Sequence, residues 1–170
     1  MPNQSWKLLG SRCLAASHVT RIRTDHYRFE PSKIEADFIV CESPDWVLVV
    51  PITADGKVVF VRQFRHGVRE VVLELPGGLI DDRETPEAAA ARELLEETGY
   101  RAGRVRRVAE LLPNPAINNA HFHVVLARQC RLAQAPSLDP LERIEVETHP
   151  LAEVPNLIRT GRLTHAQAIA

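Results

Sequence analysis

The sequence predicts a mixed α/β or α+β fold, and three observations carry that reading. Trp46 to Ile52 is a continuous apolar run, as in a strand buried on both faces. Thr85–Pro86, then alanines and leucines as far as Thr98 with Gly99 behind, holds the start and stop signals of a helix. Segments of strand character lie on both sides of that helix, so strands and helices interleave along the chain.

Each element has its own signal. Met1 to Trp6 is polar and leads into no signal-peptide core. Arg21 to Glu30 and Lys33 to Glu42 read as two strands split by a turn at Pro31–Ser32. A break at Glu42 to Asp45 precedes the apolar run. Asp55–Gly56 supplies a tight hairpin turn, and Lys57 to Phe64 returns as a strand. Val71 to Leu75 is another strand, ending at Pro76–Gly77–Gly78, where the backbone can take conformations other residues resist. After the helix come strands at Val105 to Leu112 and His121 to Ala127, then a polar stretch from Gln129 to Pro140. Ile144 to Glu147 is a short strand, and Pro150 to Arg159 a helix stopped by Gly161. Thr164 reads as the cap of a last helix cut short at Ala170. Residues 1–45 are thus expected as a β-strand region and 46–170 as the main domain. The strands before Trp46 are too few to be stable alone.

Composition narrows the function. At 170 residues, with 45% hydrophobic and 25% charged, the chain is long enough to bury one real core. A net charge of −1 argues against a protein that coats nucleic acid. No apolar run approaches the ~20 residues of a membrane helix. Neither nucleic acid nor membrane is therefore an expected partner. Cys13, Cys41 and Cys130 are odd in number and contain no CxxC, which fits reduced thiols and a cytoplasmic location.

The informative segment is Gly78 to Tyr100, GLIDDRETPEAAAARELLEETGY. At about 100° per residue, Glu93, Glu96 and Glu97 share an arc of roughly 100°. Ala88, Ala91 and Leu95 point the other way and are the expected packing face. Like charges so spaced repel by roughly 0.2–0.5 kcal/mol per pair on an exposed helix, and more when desolvated. Arg92 is the only basic residue inside the helix, so a divalent cation is the better neutraliser. Hard oxygen donors suit Mg²⁺ or Mn²⁺ rather than zinc. A solvated acidic face is the plainer reading of three helical glutamates; the Gly-Gly loop ahead of them speaks against it.

These residues resemble the Nudix box, G-x5-E-x7-R-E-U-x-E-E-x-G-U, with U a bulky apolar residue. Gly78, Glu84, Arg92, Glu93, Leu94, Glu96, Glu97 and Gly99 fill it, and Tyr100 stands at the final apolar position. RQFR at Arg62 to Arg65, ELPGG at Glu74 to Gly78, and Pro115 beyond the box are similar to the ADP-ribose pyrophosphatase-like branch of Nudix hydrolases.

The resemblance implies an α/β/α sandwich with a mixed sheet and an N-terminal strand appendage that pairs across a homodimer. It implies Mg²⁺-dependent (or Mn²⁺-dependent) hydrolysis of a nucleoside diphosphate linked to another moiety, ADP-ribose first, giving AMP and ribose 5-phosphate. Another nucleotide, or a non-catalytic nucleotide sensor, is the alternative. Glu93, Glu96 and Glu97 with the Gly77 carbonyl would hold the metal, Arg92 would orient the glutamates, and Glu84 would brace the loop. Among Asp139, Glu142 and Glu145, the expected general base is Glu142, where the ERIEVE stretch opens. Arg62, Arg65, Glu74 and Gly78 are the expected substrate contacts, Arg65 for the terminal phosphate through its planar fork. A salt bridge from Arg65 to Glu70 or Glu74 is the bland alternative. His121 and His123 are expected to be structural or substrate-contacting, and the arginines at 101, 104, 106 and 107 a solvated face.

Overall fold

A computed structural model describes residues 5–170. The polar reading of the first few residues lies largely outside them. The chain divides into two compact units. One runs up to Pro44 and takes in Leu112–His121; the other comprises Asp45–Leu111 and Phe122–Ala170.

The first unit is an antiparallel sheet, ordered β1 (Trp6–Ala16), β2 (Arg21–Phe29), β3 (Ile34–Glu42). The sequence reading found β2 and β3 but not β1. Register shifts between Leu8 and Gly10 and between Cys13 and Ala15 interrupt its alternation, which hides a strand from periodicity. Trp6 packs against Phe29 with ring centroids 4.9 Å apart and meets Phe38 edge-on at 5.6 Å. Buried Asp25 accepts from Ser11 Oγ at 2.6 Å and from Arg23 Nε at 2.8 Å, which pays its desolvation. The turn at 30–33 closes through Lys33, whose φ is 59° and whose N–H donates to Phe29 O. The 112–121 segment is held to β3 by Cys41 N–H donating to Ile117 O at 2.7 Å.

The second unit is an eight-stranded mixed sheet. Its path runs β11 (Ile144–Pro150), β5 (Lys57–Arg65), β4 (Trp46–Thr53), β10 (Phe122–Leu132), β8 (Tyr100–Arg101). β6 (Glu70–Glu74) pairs with β5, β7 (Gly77–Leu79) with β4, and β9 (Arg104–Leu111) with β10. β4 and β10 are parallel, and the other pairs antiparallel. The apolar run of β4 serves both faces, as its composition required. Val47 and Val49 join Val125 and Ala127 beneath α1 (Pro86–Thr98). Leu48 joins Val58, Phe60 and Leu73 on the opposite side, with Leu157 of α2 (Val154–Arg159) and Ala168 of α3 (Ala166–Ile169). Helices thus cover both faces, the sandwich that the resemblance implied.

α1 is capped as expected. Thr85 Oγ1 accepts from Ala88 N at 3.2 Å, Pro86 opens the helix, and Gly99 closes it at φ 73° with its N–H on Leu95 O. Its packing face is not the expected one. Ala88 and Ala91 are exposed and Leu95 half-buried, while Ala89, Ala90 and Leu94 are buried together with Glu97. The helix therefore turns the glutamate side down onto the β7 loop instead of away from the core. Truncating Leu94 to alanine would cost about 2–5 kcal/mol.

Three smaller expectations are corrected. β10 continues through Gln129, expected as loop, by a bulge there with φ 55°. Pro150 ends β11, a short 3₁₀ turn follows at Leu151–Glu153, and helix proper begins at Val154. His165 and not Thr164 occupies the cap position of α3, without a side-chain capping bond.

Candidate active site

The site is built where β7 passes beneath α1. Gly77 and Gly78 lie opposite Leu48 and Val47 of β4. A Cβ on Gly77 would overlap the Val47 carbonyl oxygen and stand 3.1 Å from Leu48 Cα. A Cβ on Gly78 would fall 2.6 Å from Glu93 Cδ. Only glycine lets the strand approach β4 and the helix carboxylate this closely. The Gly77 N–H then donates to Glu97 Oε2 at 2.9 Å, tying helix to loop.

The three glutamates differ sharply in environment. Glu97 is 4% exposed. Burial pushes its pKa up to about 8; like charges on Glu93 and Glu142 add to this, and the Gly77 N–H opposes it. Burial also raises Glu93, with Arg92 pulling the other way. Glu96 lies at the exposed outer edge. Arg92 braces the group. It donates to Glu84 through Nε (3.1 Å) and Nη2 (2.9 Å), to Leu79 O, to Glu93 Oε1 at 2.7 Å and to Glu96 Oε2 at 3.3 Å. Glu84, held below the usual carboxylate range by Arg92, also accepts from Asp81 N, so it ties loop to arginine.

Among the described residues, no three His, Cys, Asp or Glu side chains converge as a ready-made metal cage. Arg92 engages Glu93 and Glu96, and the Gly77 N–H engages Glu97. The donor set nonetheless fits a hard divalent cation. It is all oxygen, it crowds anionic groups against a glycine cradle, and its most buried member has one hydrogen bond and a destabilised charge.

Glu142 is felt by both Glu93 and Glu97 as a like charge. Its own Oε2 accepts from Asp139 N at 3.1 Å while its N–H donates to Asp139 O, so it caps its loop. Glu145 lies opposite Arg62 on β5. Arg65 grips Glu74 with Nε and Nη2, at 3.0 and 2.5 Å, the salt bridge the sequence reading held as its alternative. That hydrogen bonding raises the Arg65 pKa, and the charges of Glu97 and Glu142 contribute at longer range. Arg62 does not join it. Residues three apart on a strand point to opposite faces, and Arg62 lies on the other side, 3.8 Å from Glu147.

Sequence reasoning missed His165. It carries no motif, yet its Nδ1 is buried 3.9 Å from Glu74 Oε2. His123 is 6% exposed, between Glu110 (3.6 Å) and Asp45 (3.9 Å). In the other unit, Asn118 Oδ1 accepts from Ala120 N at 2.7 Å.

A sheet covered by helices on both faces thus sets an acidic helix on a Gly-Gly strand, an arrangement suited to a hard divalent cation. A family model described as NUDIX domain matches residues 43–170, and the chain belongs to the Nudix family of pyrophosphohydrolases. It is 31% identical over 129 residues to an ADP-ribose pyrophosphatase of Bacillus subtilis, covering 75% of this chain and 70% of that one. It is 28% identical over 172 residues to an ADP-ribose pyrophosphatase of Mycobacterium tuberculosis, covering 100% and 83%. The fold is shared with the crystal structure of an ADP compounds hydrolase, at TM-score 0.86 and 23% identity over 98% of this chain and 89% of that one. Among the described residues, no helix is long and apolar enough to cross a membrane.

Proposed function

We propose that this chain hydrolyses ADP-ribose or a related nucleotide sugar at its diphosphate, releasing AMP and a sugar phosphate. The observation that carries the reading is the buried Glu97 carboxylate, held by the Gly77 N–H on the same helix as Glu93 and Glu96. Glu93, Glu96, Glu97 and the Gly77 carbonyl would hold a divalent cation, with Mg²⁺ first and Mn²⁺ second. Bound there, such an ion neutralises phosphate charge and acidifies a water.

The chain's own residues do the positioning. Arg92 fixes Glu93 and Glu96 by charge-assisted hydrogen bonds. The Arg65 guanidinium, half-exposed on its Glu74 side, presents its remaining donors to a phosphate. Glu142 takes the proton of the attacking water as an oxygen–phosphorus bond forms and the bridging one breaks. The Asp139 N–H holds its Oε2, which leaves Oε1 for that proton. No covalent enzyme intermediate is required.

The first unit supports a homodimer. Trp6, Leu8, Leu14 and Ile39 are exposed on its three-stranded sheet, apolar surface that a second copy would cover. The three free cysteines support a cytoplasmic location. Incubation with ADP-ribose and Mg²⁺ tests the activity. Release of AMP and ribose 5-phosphate is expected, whereas binding without release would make the protein a sensor. Light scattering tests the assembly; a monomeric mass would overturn the dimer.

A further inference from the structure

The face of β5 that carries Arg62 opens onto a cavity of about 570 Å³, within the range of small-ligand clefts. Its floor follows from strand register. Arg62 and Phe64 lie two apart on β5, Val71 of β6 stands opposite Phe64, and Glu145 of β11 opposite Arg62. Its wall is the segment from Leu138 to Ile144, which also carries Glu142. Glu142 itself lines the cavity, so the cavity adjoins the candidate active site and shares that carboxylate with it.

Its lining sorts into three chemistries. Phe64, Val71, Leu138 and Ile144 are an apolar surface, with Phe64, near the end of β5, 47% exposed and Val71, on β6 at the sheet margin, 54% exposed. Arg143 donates only to the Pro140 and Glu142 carbonyls and has no carboxylate within 4 Å among the described residues. Arg62 has only Glu147 at 3.8 Å, and Glu147 already accepts from Arg162 and lies against His149. Two guanidiniums are therefore weakly compensated. Three carboxylates, Asp139, Glu142 and Glu145, add acceptors for hydroxyl groups.

An aromatic face, hydroxyl acceptors and a pair of arginines suit one kind of small molecule: a flat ring, a polyol and a single strong anion. We infer that this cavity is a second ligand site, binding a nucleoside monophosphate with its base on Phe64 and its phosphate at Arg62 and Arg143. A phosphosugar would leave the apolar wall unused. Bare phosphate would leave both wall and acceptors unused. An occupant at Arg143 would compete with the Pro140 and Glu142 carbonyls for that guanidinium, so it would bear on the Glu142 loop directly.

AMP, a product under the reading above, is the probe. The full chain is titrated calorimetrically with AMP in Mg²⁺ buffer and again in EDTA, beside ribose 5-phosphate and inorganic phosphate. AMP binding that persists in EDTA is expected. Phe64→Ala and Arg143→Ala should each weaken it about tenfold, the size of one base–aromatic stack or one charged hydrogen bond. Phe64→Tyr should restore it, which separates lost stacking from misfolding. Ribose 5-phosphate and phosphate should bind at least tenfold more weakly. AMP affinity that vanishes in EDTA, or that ignores both substitutions, would overturn the site, as would phosphate binding as tightly as AMP. Because the readout is binding, a chain inert toward ADP-ribose yet showing this AMP site would sink the proposed activity and leave this inference standing.

Discussion

Glu93 stands where a side chain on Gly78 would have to go: a Cβ there would lie 2.6 Å from the Glu93 carboxyl carbon. The neighbouring Gly77 meets backbone instead, with the Val47 carbonyl in the way. The two glycines therefore predict different failures. Gly78→Ala displaces a flexible carboxylate, so the protein should fold and lose activity about 10²-fold, the penalty for roughly 1 Å of misplacement. Gly77→Ala must move a strand, so stability should fall by about 1–3 kcal/mol. Urea titration beside steady-state rates separates the two. Equal stability losses would show that neither neighbour is what the glycines spare.

Arg92 joins the Glu84 loop to the glutamates through five donor contacts. Arg92→Ala leaves Glu93, Glu96 and Glu84 facing one another without a cation, and should lower stability by about 1–3 kcal/mol and cut turnover. Arg92→Lys keeps the charge and loses the fork, so it should recover only part of each. Full recovery by lysine in a denaturation and rate comparison would mean that charge alone matters.

The box helix shows what a sequence makes legible. Its caps, its length and its crowded carboxylates were all readable from Thr85 to Gly99, because capping chemistry and spacing are local. Its packing face was not. Alanines and leucines surround the helix, so periodicity alone did not choose between Ala88/Ala91/Leu95 and Ala89/Ala90/Leu94. The choice is made by two glycines eight or more residues away. β1 was hidden for a related reason, since bulges shift its alternation. His165 was invisible because nothing local joins it to Glu74, ninety-one positions earlier in the chain.

Arg62 and Arg65 look alike in sequence and part company on the strand. Arg65 binds Glu74 and feels the charge of Glu97, so Arg65→Ala should raise the KM for ADP-ribose about tenfold or more. Arg62→Ala should raise it less. The order of the two KM values checks this, and a larger effect at Arg62 would put the substrate phosphate on the opposite face.

His165 predicts a pH dependence of stability. Burial lowers its pKa below 6.5, Glu74 opposes that, and Arg65 adds to it. The unfolded chain takes up this proton near pH 6.5, before the folded one does. The stability involved is therefore complete above that pH and is lost as pH falls from 6.5 toward the lower folded value. Urea midpoints between about pH 7.5 and 5.5 should decline more steeply in the wild type than in His165→Gln. Parallel curves would contradict the assignment.

The direct test of the whole account is Glu97→Gln assayed with ADP-ribose and Mg²⁺. The amide keeps an oxygen for the Gly77 N–H and loses the negative charge. Turnover should fall about 10³-fold or more while the urea midpoint stays near or above that of the wild type. Removing metal from the wild type with EDTA should likewise abolish AMP release. Wild-type turnover by Glu97→Gln would contradict the claim that this buried carboxylate is the anchor of the catalytic site.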